Sequence, residues 1–466
     1  MKTKLLFAAL ATLVCFATAQ RALAELALQV LSEVQHPSSL LEGSDGNFYG
    51  TTAGGAANVG MVFKMTPAGA LTNLASFNCT NGCAPSGLVE GSDGNFYGTT
   101  SDGGTNYGAG GAYGTVFRIT PYGALTTLHS FNYTDGWDPR GSLVQGNDGN
   151  FYGTTFQGGA YEKGTIFQIT TNGTLTTLLS FDGTNGSLPY ASLAQGTDGN
   201  FYGTTKGGGT NYDGGSFDGY GTVFKITTKG VLTTLHSFHG FGSGQGDGPN
   251  SLILASDGNF YGTTVFGGTS TSCGGIGLHF GCGTAFKIAP NGTLTTILSF
   301  YHSTSTGGGR PKGGLLEGTD GNFYGTTSIG GPGIFGTVFQ ITTNGTWTTL
   351  IAFNYSNGSH PNTSLVQGRD GNLYGTTSEG GLGGGGVIFR VVQIPVIIAT
   401  TPFNGNVTLT WTSFTSGVYR VEYKPSLAVT NWTTLVPKVT ATCNTVDLID
   451  TAGGATERYY RVVLLP

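Results

Sequence analysis

The polar and apolar residues of the chain form short runs that recur in the same order seven times. The octapeptide "DGNFYGTT" begins at residues 45, 93, 148, 198, 257 and 320, and "DGNLYGTT" begins at residue 370. Each unit runs from an apolar stretch such as "GSLVQG" (141–146) through the octapeptide and a glycine-rich loop to segments such as "GTVFKIT" (221–227) and "LTTLHSF" (232–238). β-Branched and aromatic residues fill these runs, and Gly, Asn and Asp separate them, which is typical of strands joined by turns. The pattern predicts four short strands per unit and no helix.

The octapeptide itself predicts a turn followed by a strand. Asp-Gly and Asn-Gly favour two-residue hairpin loops, because a type I′ turn has positive φ at both central positions. The Phe and Tyr that follow point to opposite faces of their strand, which predicts that one aromatic ring packs on each neighbouring sheet. The Asp residues are assigned to turns rather than to calcium, because each turn offers one carboxylate and calcium takes roughly six or more oxygen ligands.

The number of strands distinguishes an open array from a closed ring. Segments of the "VFKI" type occur seven times, but segments of the "LTTLxSF" type follow an octapeptide only six times. The segment "ALQVLSEV" (27–34) aligns with "ALTTLHSF" (124–131) and precedes the first octapeptide. We therefore predict an all-β protein whose residues 25–394 form a seven-bladed β-propeller, in which the N-terminal and C-terminal segments share one blade and leave no exposed sheet edge.

The repeat stops near Pro395, and a different strand pattern follows. The segments "VTLTWTS" (407–413), "YRVEYK" (419–424) and "YYRVVLL" (459–465) alternate apolar and polar residues. They resemble a fibronectin type III domain, which implies a small β-sandwich over residues 395–466. The segment is short for such a domain, and no strand remains after "YYRVVLL" to serve as its usual last strand.

The first residues are typical of a secretory signal peptide, which we assign to residues 1–24. Lys2 and Lys4 precede an apolar run from Leu5 to Ala17, and small residues follow it. Removal of this segment would change the formal charge from −5 to −8, because it carries three of the basic residues. We expect a secreted or cell-surface protein that is monomeric, has no membrane span and does not bind nucleic acid, whose phosphates attract basic proteins.

Composition and cysteine spacing add to this interpretation. Only 10% of residues are charged and 83 are glycine, but aromatic residues make up 12%, enough to bury a core. In an oxidising compartment the close pairs Cys79 with Cys83 and Cys273 with Cys282 predict two local disulfides. Zinc is the alternative, but the unequal spacings and the lack of a matching histidine pair are a weak metal signature. Cys443 is left over and is predicted to be a small buried hydrophobe.

The segments "DGNFYGTT", "GTVFKIT" and "LTTLHSF" together resemble the GloVer tandem repeat of bacterial surface and secreted proteins. The resemblance covers residues 27 to 393 and implies a repeat architecture and export, but it supplies no reaction. "DGNLYGTT" is more distantly similar to the "DGNLW" turns of other propellers, including sensor-type extracellular propellers and the streptogramin lyases.

Antiparallel strands place the connections of each unit on two opposite faces. The octapeptide turns and the "NG" turns lie on one side, which we term the turn face, and every long insertion lies on the other, which we term the loop face. Loops on a rigid scaffold are where binding residues usually lie, and these mix aromatic residues and Asn with Gly. The candidate ligand-binding residues are Tyr107, Tyr113, Trp137, Tyr212, Tyr220 and His279. The predicted ligand is a cell-surface or extracellular polysaccharide, or another protein.

No catalytic motif is present, since "HExxH", "GxSxG" and a phosphate loop are all missing. We therefore predict an exported, non-enzymatic binding or adhesion protein with no catalytic residue, metal or cofactor. One alternative is an enzyme of lyase type that uses scattered loop-face histidines, and the other is a purely structural surface protein. The histidines of the first alternative are His239, His279, His302 and His360. A ring of Glu and Gln residues on the first strands, interrupted at Leu254, is the remaining place for a cation.

Overall fold

The structure is a computed structural model, and its description covers most of the chain. The described residues are 25–54, 59–108, 111–214, 219–240, 242–276, 279–303, 307–394, 397–403, 406–413, 418–426, 428–441, 445–451 and 458–465. The predicted signal peptide, Cys443 and the side chain of Tyr107 lie outside this description. The larger of two compact units comprises residues 29–367 and 373–390, and the smaller contains the C-terminal strands.

The described residues form an all-β, propeller-like fold of four-stranded antiparallel sheets, as predicted. Strand β1 (Glu25–Glu33) comes first. Sheet one contains β2 (Pro37–Glu42), β3 (Phe48–Thr52), β4 (Met61–Met65) and β5 (Leu71–Ser76). Sheet two contains β6 (Cys83–Glu90), β7 (Phe96–Asp102), β10 (Thr115–Ile119) and β11 (Leu125–Ser130), with the hairpin β8 (Tyr107–Gly108) and β9 (Gly111–Ala112) between β7 and β10.

The next three sheets repeat this order. Sheet three contains β12 (Val144–Gln145), β13 (Phe151–Thr155), β14 (Thr165–Ile169) and β15 (Leu175–Ser180). Sheet four contains β16 (Ala194–Gln195), β17 (Phe201–Thr205), β18 (Thr222–Ile226) and β19 (Leu232–Ser237). Sheet five contains β20 (Asp247–Leu254), β21 (Phe260–Phe266), β24 (Thr284–Ile288) and β25 (Leu294–Ser299), with the hairpin β22 (Gly275–Ile276) and β23 (His279–Phe280) between β21 and β24.

Sheet six contains β27 (Leu316–Glu317), β28 (Phe323–Thr327), β30 (Thr337–Ile341) and β31 (Trp347–Ala352). The short strands β26 (Gly308–Gly309) and β29 (Ile329–Gly330) form a separate two-stranded sheet. Sheet seven contains β32 (Val366–Gln367), β33 (Leu373–Thr376) and β34 (Val387–Ile394), and its fourth strand is β1. The prediction that the first strand of the chain completes the last unit is therefore confirmed.

The C-terminal strands form two separate sheets that share one core. The strands are β35 (Ile397–Phe403), β36 (Asn406–Thr412), β37 (Val418–Lys424), β38 (Thr433–Thr440), β39 (Thr445–Asp450) and β40 (Tyr459–Leu465). The first sheet has the order β35-β36-β39 and the second β38-β37-β40. Trp411 from the first sheet and Tyr419 from the second are both fully buried in the common cluster. Within the described residues, no helix reaches the length and apolar character needed to cross a membrane.

Aromatic stacking joins successive sheets of the repeat region. The octapeptide tyrosine of one sheet stacks on the octapeptide phenylalanine of the next, as in Tyr152 with Phe201 at 4.0 Å between ring centroids. The prediction that each octapeptide packs one ring on each neighbouring sheet is confirmed. Tyr374 of sheet seven packs on Phe48 of sheet one at 4.1 Å, so the array returns to its start. The other stacked pairs are Tyr49 with Phe96, Tyr97 with Phe151, Tyr202 with Phe260 and Tyr261 with Phe323.

A backbone hydrogen bond on the loop face also joins each sheet to the next. Its donor is the amide of the residue before the proline found at or shortly before the first strand of each sheet. Its acceptor is the carbonyl two residues before the third strand of the preceding sheet. The donor and acceptor pairs are Ala84 and Val59, Asp138 and Tyr113, Leu188 and Lys163, Gly248 and Tyr220, Arg310 and Cys282, His360 and Phe335, and His36 and Gly385. The last pair joins sheet seven to sheet one, at 2.7 Å between nitrogen and oxygen.

The octapeptide turn differs from the predicted type I′ turn. In sheet three the Gly149 amide donates to the Gly146 carbonyl at 2.9 Å, and Gly149 has a φ of 80°. Asp148 is not among the residues with positive φ, so only one central position is left-handed. The geometry is that of a longer hairpin loop, in which a glycine in the left-handed region follows an ordinary turn and forms a bulge. The type I′ prediction is wrong.

The turn aspartate anchors the stacked tyrosine. Asp148 accepts hydrogen bonds from the Tyr152 hydroxyl at 2.8 Å and from the Asn150 side chain at 2.9 Å. Burial opposes ionisation of Asp148, but these hydrogen bonds outweigh it and lower the pKa of Asp148. Burial and the bond to Asp148 raise the pKa of Tyr152 to about 12. The tyrosine bond recurs at Asp45, Asp93, Asp198, Asp257 and Asp320.

Removal of the Tyr152 hydroxyl should destabilise the fold in a pH-dependent way. We expect Tyr152→Phe to lower the free energy of unfolding by about 0.5–1 kcal/mol at neutral pH, at the low end for a hydrogen bond because Asp148 is exposed. The pKa of Asp148 in the folded protein is lowered from 3.8. The stability that ionised Asp148 contributes is therefore present above that pH and is lost on acidification. The pKa of Tyr152 in the folded protein is raised from 10.0. The stability that the protonated Tyr152 hydroxyl contributes is therefore present below that pH and is lost as the pH rises further.

Denaturant unfolding at several pH values measures this difference. Tyr161→Phe is the matched control, because the side chain of Tyr161 is 60% exposed. A constant difference between Tyr152→Phe and the wild type across the whole pH range would contradict the assigned role of the aspartate.

Removal of the first strand should expose the edge of sheet seven. A variant that lacks residues 25–35 leaves the β34 edge without its partner, and we expect aggregation or a large loss of thermal stability, because an unpaired edge pairs with other chains. A variant that begins at Glu25 is the control. Equal melting temperatures for the two variants would show that the pairing contributes nothing to stability.

Candidate active site

A cavity opens on the loop face where the first strands of the sheets begin. Its volume is about 600 Å³, and its walls come from all the sheets of the repeat region. Trp137 and Tyr190 contribute aromatic rings, and Arg140 and Lys312 contribute positive charges. Hydroxyl and amide side chains cover most of the remaining wall, among them Ser142, Ser192, Asn250, Ser251 and Asn362. The cavity is thus polar, with two rings and concentrated charge.

Four of the cavity-lining side chains lie in repeats that carry a one-residue insertion. In sheets one, two and five a proline stands three positions ahead of a buried leucine, as in Pro249 and Leu252. In sheets three, four, six and seven it stands four positions ahead, and the regular first strand shortens to two residues. The residues at the extended position are Arg140, Tyr190, Lys312 and Asn362, and each lines the cavity. The residue after the proline lines the cavity in the other three sheets too, where it is Ser38, Ser86 or Asn250.

The backbone just before these prolines is held in a strained conformation. Asp138, Arg310 and His360 have φ values of 59°, 53° and 53°. A left-handed conformation costs a non-glycine residue about 1–2 kcal/mol, so the inter-sheet hydrogen bond of each residue must maintain it. Gly248 occupies the equivalent position of sheet five without that cost, at a φ of 62°. Backbone strain of this kind is common at functional sites, which makes the loop-face end of the first strands a candidate site.

Asp247, three residues before the cavity-lining Asn250, forms an acid–imidazole pair with His279. Asp247 is the first residue of β20 and is fully buried, and its Oδ2 lies 2.6 Å from Nδ1 of His279. Desolvation raises the pKa of Asp247, and the hydrogen bond to His279 opposes this rise. When Asp247 is ionised, Nδ1 of His279 donates the hydrogen bond, and the lone pair of the neutral ring is on Nε2. The pair therefore orients an imidazole that can accept a proton.

Aromatic rings surround this imidazole. The ring of Phe266 lies 5.6 Å from that of His279, and the ring of Tyr220 lies 6.4 Å away. His279 retains a side-chain exposure of 37%, so a substrate can reach it. Asp247 Oδ1 has no hydrogen-bond partner among the described residues, which is unusual for a buried carboxylate. The arrangement fixes the imidazole and keeps water from its carboxylate partner.

Lysine side chains add charge beside the pair. Lys206 follows the octapeptide of sheet four, and its Nζ lies 6.0 Å from the ring of Tyr190, which also faces Arg140. Desolvation lowers the pKa of Lys206, and the charges of Arg140 and Lys312 lower it further. Desolvation also lowers the pKa of Lys312, and the charge of Arg310 adds to the effect. Both lysine side chains are exposed to solvent.

The predicted ligand-binding residues are only partly brought together. Trp137 lines the cavity and packs against Tyr113, at 6.1 Å between ring centroids. Tyr220 and His279 meet at the Asp247 pair. Tyr212 packs against the backbone of Gly183 elsewhere on the loop face, and Tyr107 lies in the hairpin β8–β9. The sequence-based search missed Arg140, Tyr190, Lys206, Asp247 and Lys312. The spacing between proline and leucine in each unit is the signal that would have identified three of them.

The other loop-face histidines do not converge on one site. His239 lies 3.3 Å from the side chain of Gln245, and His360 lies 3.5 Å from the carboxylate of Glu379. In the described part of the chain, no three His, Cys, Asp or Glu side chains come close enough to hold a metal ion. The Glu and Gln residues considered for a cation site form hydrogen bonds with turns instead. For example, the carboxylate of Glu90 accepts a hydrogen bond from the Ser44 backbone amide at 2.7 Å.

Both predicted disulfides are present. Cys79 is bonded to Cys83 and Cys273 to Cys282. The second disulfide closes the segment that carries His279. The guanidinium of Arg310 donates to the Cys273 carbonyl at 2.9 Å, so the same loop also holds a positive charge near the cavity.

Comparison with known proteins identifies the repeat and a set of structures with related folds. The family model described as "Gloeobacter/Verrucomicrobia repeat" matches residues 36–276 and 211–414, which confirms the predicted GloVer resemblance. Among curated proteins, none matches the chain. The periplasmic gluconolactonase of Pseudomonas aeruginosa aligns with a TM-score of 0.46 at 14% identity, over 86% of this chain and 98% of that chain.

Two further solved structures align less closely. A gluconolactonase from Xanthomonas campestris has a TM-score of 0.37 at 13% identity, over 59% of this chain and 78% of that chain. A glucose dehydrogenase has a TM-score of 0.41 at 11% identity, over 78% of this chain and 99% of that chain. At this similarity the alignments assign no reaction to the present chain. The similar structures are described as enzymes, which stands against the predicted non-enzymatic binding or adhesion protein.

Loss of the Cys273–Cys282 disulfide should release the histidine of the pair. We expect the double variant Cys273→Ser, Cys282→Ser to exchange amide hydrogens faster around His279, because the segment is no longer closed, while the sheets remain protected. Hydrogen exchange read by mass spectrometry measures this change. The matched control is Cys79→Ser, Cys83→Ser, whose effect should stay within its own loop. Unchanged exchange around His279 in the first variant would show that the disulfide does not hold the pair.

Proposed function

The chain belongs to the Gloeobacter/Verrucomicrobia repeat family, and from that premise we propose that it is an exported enzyme of lyase type whose site lies in the loop-face cavity. The observation that carries the proposal is the buried Asp247 carboxylate 2.6 Å from His279. A carboxylate that orients an imidazole is a general arrangement for proton transfer at neutral pH. Export rests on the signal-peptide pattern of residues 1–24.

We further propose a seven-bladed propeller followed by a fibronectin type III-like sandwich. Seven four-stranded sheets and the contacts between sheet seven and sheet one support the closed ring. Two three-stranded sheets with one shared core support the sandwich. Such a ring supplies a rigid frame for the cavity, because every wall of the cavity is anchored in a stacked sheet.

The proposed chemistry assigns a separate task to each group. His279 accepts a proton from the substrate at Nε2 and later returns it. Asp247 fixes the tautomer and stabilises the imidazolium, and it is effective because burial keeps water from competing for its hydrogen bond. Phe266 and Tyr220 wall the imidazole and limit its rotation. Positioned acid–base catalysis of this kind accelerates a reaction roughly 100- to 10,000-fold.

Replacement of the histidine should abolish turnover without unfolding the protein. We expect His279→Gln to lower kcat/KM by about 100-fold or more, since the proton acceptor is lost. The assay screens the full chain against a panel of neutral and acidic polysaccharides, with the unsaturated product detected by its ultraviolet absorbance. His239→Gln is the matched control, because His239 is an exposed loop-face histidine that contacts Gln245 rather than a carboxylate.

Two outcomes would overturn the proposal. One is the absence of turnover on every polysaccharide of the panel, and the other is full activity of His279→Gln on a substrate that the wild type converts. The melting temperature of each variant is measured alongside, so that a loss of activity caused by unfolding is recognised.

A further inference from the structure

We propose that Lys206 and Lys312 form a carboxylate-recognition site together with Arg140 and Tyr190, and that the substrate is a carbohydrate with a carboxylate group, of the uronate type. The inference rests on the proposed function, because it names the substrate of the same cavity. It is carried by the charge balance of the cavity, by a comparison among the repeats and by the chemistry of the cavity wall.

The acidic groups near the cavity are already engaged with other partners. Asp138 pairs with Arg140 through its Oδ2, 2.8 Å from Nε of that arginine. Asp247 pairs with His279, and Glu379 lies 3.5 Å from His360. Asp102 accepts a hydrogen bond from the Gly103 backbone at 2.7 Å. Among the described residues, neither Lys312 of the cavity wall nor Lys206 beside Tyr190 lies within salt-bridge distance of a carboxylate.

The repeats show that the scaffold does not need these lysines. The position of Lys206, directly after the octapeptide, is held in the other sheets by small, apolar or hydroxyl residues. They are Ala53, Ser101, Phe156, Val265, Ser328 and Ser378. The position of Lys312 is held in sheet seven by Asn362. A lysine in partly dehydrated surroundings beside like charges is unfavourable without an anion, and a bound carboxylate would remove that cost.

The rest of the wall fits a sugar. Hydroxyl and amide groups of Ser142, Ser192, Asn250, Ser251 and Asn362 can exchange hydrogen bonds with sugar hydroxyls. Tyr190 is 43% exposed, and with Trp137 it offers a ring on which the C–H face of a sugar can stack. Arg140 lies over the rings of Tyr190 and Phe156, at 5.5 and 4.1 Å, which holds its charge beside this platform.

A carboxylate at this place completes the elimination that the histidine begins. His279 removes the proton on the carbon next to the carboxylate, and the lysine charges stabilise the negative charge that moves onto the carboxylate oxygens. The bond from the neighbouring carbon to the glycosidic oxygen then breaks, and its electron pair leaves with that oxygen while a carbon–carbon double bond forms. The proton held by His279 passes to the departing oxygen. Atoms and charge balance, and no oxidant or further reactant is needed.

Binding of a simple uronate tests the site independently of turnover. D-Glucuronate and D-glucose are titrated into the full chain, with binding followed by calorimetry and by saturation-transfer NMR. We expect the wild type to bind D-glucuronate at least tenfold more tightly than D-glucose. Lys206→Ser and Lys312→Asn, which install residues that the chain uses at the equivalent positions, should each remove most of this preference. Lys229→Ser on the turn face is the control and should bind as the wild type does.

The pH dependence of binding has a definite sign. A bound anion stabilises the charged ammonium groups, so the affinity for D-glucuronate should fall as the pH rises toward the ordinary lysine pKa of 10.5. The fall should begin at a lower pH than for an ordinary lysine, because the pKa values of Lys206 and Lys312 are lowered. Arg140, Arg310, Asp247 and Glu379 are the charged groups that act on these lysines. Binding of D-glucose should not change over the same range.

The variants separate failure of this site from failure of the proposed function. His279→Gln should bind D-glucuronate as the wild type does, because it leaves the lysines intact. Unchanged D-glucuronate binding by both lysine variants, or equal affinity for D-glucose, would overturn the recognition site whatever the turnover assay gives. Binding of sulfate as tightly as D-glucuronate would also overturn it, since the site would then hold anions without regard to the sugar.

Discussion

The stacking of octapeptide tyrosines on the phenylalanine of the next sheet, which occurs six times, is the interaction on which the structure depends. The rings lie about 4 Å apart, and a turn aspartate holds each tyrosine hydroxyl. Because each octapeptide strand with both rings sends one to either side, the same pair of residues joins six of the seven junctions between sheets, and Leu373 replaces the phenylalanine at the seventh. A chain with few charges and many glycines thereby gains a repeated core without long strands. The remaining contacts, including the backbone hydrogen bond of the loop face, repeat with the same period.

The candidate site is formed by segments of the chain that depart from the repeat. One inserted residue accompanies the shortened first strand of four sheets, in which Arg140, Tyr190, Lys312 and Asn362 line the cavity. A disulfide-closed segment brings His279 to Asp247. None of these changes disturbs the stacked tyrosines on the inner strands. The frame therefore accepts charged and strained groups at its rim, because its stability comes from contacts deeper in the sheets.

The sequence predicted the features that the repeats share and missed many of the features that occur in single repeats. Alternation within the octapeptide correctly placed Phe and Tyr on opposite faces, and strand counting correctly assigned residues 27–34 to the last sheet. The turn type was wrong because Asp-Gly also fits a loop in which only glycine has positive φ. His279 was selected, but Asp247 was not, since nothing in a linear pattern shows that a strand begins with a buried carboxylate. The search favoured aromatic residues in long loops, whereas the lysines lie at loop positions that look ordinary until the sheets are superposed.

Leu373 gives the array a preferred place to open. It stands where the other octapeptides carry phenylalanine, and Tyr324, the tyrosine of the preceding sheet, is only partly buried, unlike the six other octapeptide tyrosines. Regions with less buried apolar contact open at lower free energy than the rest of a protein. Local unfolding of the repeat array should thus start between the sixth and seventh sheets.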